Sequence, residues 1–175
     1  DDLIICPRAG GIYYWDESVG TDTRAVALPD KAGASDAPVK ALQVMVSPTD
    51  KHVIALGSNT IGSSVIDPLL VRWSDDETAV DWTPTAINSA GGVVVSTGSS
   101  IVAGVRTRQE ILIFTDTSLY AMRFSGSPFV YQFSPVAEAV SLIGPNAVVA
   151  KDDAVYFMDR DGFYMYRGSV QRIPC

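Results

Sequence analysis

Residues 111 to 124, ILIFTDTSLYAMRF, read as strand, turn and strand. Ile111, Ile113 and Phe114 are β-formers, Thr115-Asp116-Thr117-Ser118 is a polar turn cluster, and Leu119 to Phe124 resume the apolar run. The unit then recurs: Phe157-Met158-Asp159, a short turn and Phe163-Tyr164-Met165-Tyr166-Arg167 repeat Phe114-Thr115-Asp116, a turn and Leu119-Tyr120-Ala121-Met122-Arg123, with the second turn one residue longer. A third version opens the chain, where Leu3-Ile4-Ile5-Cys6 and Ile12-Tyr13-Tyr14-Trp15 flank the turn Pro7 to Gly11. A repeated hairpin with no convincing amphipathic helix between its copies restricts the chain to an all-β fold.

Further short strands are expected at Ala41 to Val46, His52 to Leu56, Leu69 to Trp73, Val93 to Val95, Ile101 to Val105, Phe129 to Phe133 and Ala147 to Ala150, bounded by Gly, Pro, Ser and Asp clusters. Residues 17 to 38 read as a surface connection with a weak outer strand around Arg24 to Leu28, and Val136 to Ile143 as either a strand or one helical turn. The hairpin ends near Trp15, Trp73, Arg123 and Arg167 lie about 58, 50 and 44 residues apart, close to the roughly 40 to 50 residues of a four-stranded propeller blade with its loops. The Ala-, Val- and Gly-rich strands that precede each hairpin suit the innermost position, where blades crowd an axis. The expectation is one β-propeller region over residues 1–175 with about three to four antiparallel blades, at 1–38 (partial), 39–90, 91–143 and 144–175 (partial). Because the chain starts at Asp1-Asp2 without an initiator Met and stops at Cys175 just after an apparent strand, a fragment of a larger chain is expected.

Hydrophobic residues make up 47% and charged residues 19% of the 175, which excludes global disorder. No run approaches the length of a membrane-spanning helix, and no signal peptide pattern is present. A net charge of −7 argues against a surface that grips nucleic acid by neutralising phosphates, though a wall that lets DNA slide is better served by such a charge. Two cysteines, Cys6 and Cys175, are too few for a disulfide scaffold and read as free thiols.

Residue chemistry points to no reaction. A single histidine, His52, beside a turn at a strand start, reads as a surface residue and cannot make a zinc site with two distant cysteines. Asp159-Arg160-Asp161-Gly162 resembles the middle of a calcium loop, but Phe157 and Gly168 stand where carboxylates are needed, so a tight Asp-Gly turn is the reading. The run Asp75-Asp76-Glu77, with Asp81 beyond, offers carboxylates without a nearby cationic partner in sequence and reads as a solvated turn. Arg106 and Arg108, one residue apart, belong on one strand face and suit a rim salt bridge. Tyr13, Tyr14, Trp15, Trp82 and Tyr131 form either a ligand platform or, as aromatics between blades more often do, core. No catalytic, cofactor-binding or metal-binding residue is assigned.

Trp73-Ser74-Asp75, then Val80-Asp81-Trp82-Thr83-Pro84-Thr85, then the run Ile101 to Asp116 with Arg106, Arg108, Glu110, Phe114 and Asp116, and finally Gly162-Phe163-Tyr164 on to Ile173-Pro174-Cys175, resemble the tail nozzle, or tail tubular protein B, family of short-tailed bacteriophages. The resemblance covers roughly residues 69 to 175. It implies a structural virion protein, not an enzyme, built on a β-propeller and assembled in the host cytoplasm into a homohexameric ring. Its partners would be its own copies, the tail adaptor, and tail fibre or spike proteins, and genomic DNA would pass through the bore during ejection without sequence-specific binding. The resemblance implies no cofactor, and it gives Trp73 and Trp82 the task of pinning a long loop across a blade edge. A second reading, from the binding class, is a propeller module that recognises a glycan or a host-surface receptor.

Overall fold

The computed structural model describes residues 2–174, so Cys175 lies outside the described residues. The chain is all-β, and the described residues form sixteen strands in four antiparallel sheets. It divides after Val94 into two compact units, residues 1–94 and 95–175.

In the first unit, β1 (Leu3–Ile5), β3 (Tyr13–Trp15) and β4 (Val26–Ala27) form a three-stranded sheet. A five-stranded sheet runs in the order β2 (Gly10–Gly11), β5 (Lys40–Val46), β6 (Val53–Ser58), β7 (Leu70–Trp73) and β8 (Gly91–Val94). Gly10-Gly11, expected as part of a turn, is therefore a strand, paired with Lys40 and Ala41. Gly10 and Gly11 lie between the strands of the first hairpin, so the chain pairs with the next sheet before Ile12 leads into β3. At the far side, β8 pairs with β7 through Trp73↔Gly91, so the sheet opened by Lys40 extends past residue 90 to Val94. Gly91 is needed there because an added Cβ would come within 2.6 Å of the Trp73 ring. Every residue of β6 is buried, as befits a central strand that is apolar on both faces. Its Val53 and Ala55 form one core cluster with Ile12, Leu28, Ala41 and Trp82.

The second unit holds two consecutive four-stranded meanders. One is β9 (Ile101–Arg106), β10 (Ile111–Thr115), β11 (Ser118–Phe124) and β12 (Tyr131–Glu138); the other is β13 (Val148–Lys151), β14 (Ala154–Asp159), β15 (Gly162–Tyr166) and β16 (Val170–Ile173). The stretch Val136 to Ile143 is no helical turn: β12 runs on to Glu138, and Ala139 at φ 57° ends it. Ala103, Leu112, Phe114, Leu119 and Ala121 of the first meander share a core with Val155, Phe157 and Tyr166 of the second. Phe114 meets Phe157 edge-on, 5.0 Å between ring centroids.

Pairing registers correct the sequence echo. Phe114 pairs with Leu119, but Phe157 pairs with Tyr164 rather than Phe163, so the second copy is slipped by one residue after its turn. A slip of one turns every later side chain to the other face. Leu119 is accordingly 0% exposed, while Phe163 is 49% exposed and Tyr164 stacks on Phe157 at 5.5 Å.

Candidate functional site

The densest set of polar contacts surrounds the return from β7 to β8, where the sequence places Trp73, Asp75, Asp81, Trp82 and Pro84. Trp82 is fully buried and its indole N–H donates to the Ala79 carbonyl at 2.8 Å. Trp73 is 5% exposed and its indole N–H donates to the Ser89 carbonyl, also at 2.8 Å. Both rings thus hold the loop 75–90 from its two sides. Pro84 lies on the exposed outer turn of that loop, where Asn88 accepts the Thr85 N–H and donates to the Thr83 carbonyl.

The acidic run is not a solvated turn throughout. Asp75 accepts both the backbone N–H and the hydroxyl of Ser89, at 2.7 and 2.6 Å, and its own N–H donates to the Asp81 carbonyl. Asp81 accepts the Ser35 hydroxyl at 2.7 Å and the Thr83 N–H, joining the loop to residues 34–36 through a parallel bridge. Burial pushes the Asp75 carboxyl up, but the bonds from Ser89 and the Asp76 backbone outweigh it and leave the group below its ordinary value. Only Asp76 and Glu77 face solvent, Glu77 against Lys51.

Two residues under this loop escaped the sequence reading. Arg72 is buried; it donates to the carbonyls of Asp36 (2.6 Å), Asn59 (3.3 Å) and Trp82 (3.4 Å), with its guanidinium 5.7 Å from the Trp82 ring centroid. Burial lowers its pKa, with the Asp36 carboxylate pulling the other way, yet an arginine remains charged. The one signal in the sequence was a guanidinium inside the apolar strand Leu-Val-Arg-Trp. His52, expected at the surface, is 1% exposed: Nδ1 meets Asp50 and Nε2 lies 2.8 Å from Ser89 Oγ. Burial depresses its pKa against the raising influence of Asp76 and Asp75.

Asp50, His52 and Ser89 therefore stand in the order of a hydrolase triad. Their chemistry differs from one in two respects. The Ser89 hydroxyl donates to the Asp75 carboxylate, so its proton points to that group and not to the His52 imidazole as it would in a triad. The imidazole is also sealed from solvent. The arrangement ties the turn before β6 to the end of the loop, which is a structural service.

In the second unit Asp116 closes the other recurring contact. Its carboxylate accepts the Ser99 N–H and hydroxyl (2.7 and 2.6 Å) and the Ser100 N–H, and these bonds hold it below the ordinary carboxylate value. Asp159, its counterpart in the echo, accepts the Ser141 N–H at 2.8 Å. In both sheets the aspartate at the end of the second strand or just past it secures the segment leading toward the first. Arg106 ends β9, whereas Arg108 lies beyond the strand in the turn, paired at 3.8 Å with Asp153 where both side chains are largely exposed. Tyr164 spends its hydroxyl on Asp161.

The aromatic platform is likewise spent. Tyr14 donates to Asp2, a bond that together with burial pushes its pKa up to about 12, and its ring lies 4.4 Å under Lys31 Nζ. Trp15 donates to the Thr23 carbonyl, and Tyr131 is buried against Phe124. Tyr13 alone of the five is exposed, at 39%. Among the described residues no three of His, Cys, Asp and Glu converge as a metal site requires, and no helix is long and apolar enough to cross a membrane. No protein-family model matches the chain, and no curated protein matches it.

Proposed function

We propose that the chain is a non-enzymatic wall element of a β-propeller in the tail nozzle of a short-tailed phage, part of a six-membered ring through which DNA leaves the virion. The observation that carries this reading is the pair of consecutive four-stranded meanders, β9–β12 and β13–β16, which share one core and begin on small-residue strands. Such meanders are the building unit of propellers. The spending of Trp73, Asp75, Asp81, Trp82 and Asp116 on loop anchorage supports a mechanical task, since none of them is left to meet a substrate. A net charge of −7 suits a wall past which a polyanion must move without sticking. On this reading the ring contacts a tail adaptor above and fibre or spike proteins at its side, and it is assembled in the host cytoplasm before it enters the virion.

Electron microscopy of the native assembly tests the proposal. A six-fold ring on a tail axis is the expected result; a stable soluble monomer in the native context, or measurable substrate turnover by the purified protein, overturns it. The receptor-binding alternative gains nothing from Tyr14 and Trp15, whose polar tips are already occupied.

A further inference from the structure

At one end of the second unit three guanidinium groups line a single cleft of about 340 Å³. They come from three places far apart in sequence: Arg108 from the turn between β9 and β10, Arg123 from β11, and Arg167 from the turn between β15 and β16. The cleft is a built feature. Glu110, almost buried, accepts Arg123 through Nε and Nη2, both at 2.7 Å, and the buried Tyr166 closes the floor. Burial, then its hydrogen bond to Glu110, raises the Tyr166 pKa, so the phenol stays protonated as a donor. Glu110 is thus used up in fixing Arg123 and Tyr166. Asp153, the other acid of the lining, faces Arg108 only across a solvent-screened 3.8 Å. Among the described residues Arg167 makes no ion pair. Three cations against two anions leave the cleft positive on a chain whose net charge is −7.

The geometry points to a binding site for a compact oxyanion carried on a molecule of sugar size, the carboxylate of a sugar acid or the phosphoryl group of a sugar phosphate. Arg167 and Arg108 supply the planar forks that pair with such groups, displacing the weak Asp153 contact, while the held Arg123 adds a fixed positive charge behind them. The volume falls in the range of small-molecule pockets, and the exposed Gln109 side chain in the lining offers hydrogen bonds to ring hydroxyls, while the Thr107 hydroxyl holds the turn by bonding Glu110. A small concave site of this kind does not track a nucleic-acid backbone. The inference stands apart from the proposed ring: loss of the ring leaves the cleft, and an empty cleft leaves the ring.

Isothermal titration of the whole chain with glucuronate, glucose 6-phosphate, inorganic phosphate and neutral glucose tests it. Saturable binding is expected for at least one charged sugar, with none for glucose, and with affinity lowered about tenfold by Arg167→Gln and by Arg108→Gln. Both side chains are exposed, so thermal melting should be unchanged, and Arg8→Gln on the other unit should bind as the parent does. The assignment is overturned if neither charged sugar binds, if Arg167→Gln binds as tightly as the parent, or if inorganic phosphate or duplex DNA competes as well as the best sugar.

Discussion

Arg72 and Trp82 illustrate how single side chains hold this protein's first unit. A charged group has been taken out of water and repaid with three carbonyls and an aromatic face. Arg72→Lys should therefore destabilise the unit by about 2 kcal/mol or more, because an ammonium cannot span three acceptors or stack on the indole. Trp82→Ala, which empties the largest fully buried side chain, should cost about 3–5 kcal/mol. Chemical denaturation followed by Trp fluorescence and circular dichroism measures the first, and circular dichroism alone the second. A loss below half a kilocalorie, on the order of a neutral surface change, would remove either residue from the anchoring role. Acid sensitivity belongs to the same scale. The carboxyls of Asp75 and Asp116 sit below their ordinary value, so their contribution is fully present above roughly pH 4 and is lost as pH falls through the depressed folded values. Asp116→Asn should lower the neutral plateau of a stability–pH profile and leave its acid end far less changed, so that the acid limb flattens; an unaltered limb counts against the assignment.

Strands and turns are decided by register and backbone geometry. The slip between the two hairpin copies separates residues that look equivalent in sequence. Leu119→Ala should cost about 2–5 kcal/mol, whereas Phe163→Ala, on an exposed face, should stay within about 0.5 kcal/mol. Equal losses at the two positions would restore the unslipped pairing. The turn that Asp116 caps depends on Gly98, which has φ +103° and no room for a side chain: an added Cβ would lie 2.6 Å from the Asp116 carboxylate and 2.7 Å from Thr115 Oγ1. Gly98→Ala should accordingly cost about 1–3 kcal/mol and loosen the entry to β9, visible as faster amide exchange at Ser99 and Ser100.

For the whole molecule, charge and repetition matter more than any one contact. A net charge of −7 predicts no retention of duplex DNA in a gel-shift experiment at physiological salt, and a salt-sensitive shift would argue for a phosphate-gripping surface instead. The exposed apolar residues of the last sheet, Val149, Tyr156 and Phe163, stand on the face turned away from the core shared with β9–β12. On the propeller proposal that face would meet a neighbouring sheet.

The β-class, most strand positions and the repeated hairpin were legible in the sequence because each rests on local chemistry: β-branched and aromatic runs, polar turns, and Gly or Pro at the breaks. Trp73 and Trp82 also stood out, as large apolar groups beside a polar loop. Everything set by partners distant along the chain was hidden. No local pattern distinguishes a histidine sealed between Asp50 and Ser89 from one at the surface, or an acidic turn in water from one whose Asp75 caps Ser89. Nor could spacing reveal that Arg108, Arg123 and Arg167 line one cleft. The sequence by itself determined that this chain makes antiparallel strands and where most of them turn, since those choices are made among neighbours a few residues apart. Only the tertiary structure decided which face each strand turns inward, which charges are buried and which arginines converge, because a one-residue slip in pairing reverses the first and long-range packing controls the other two.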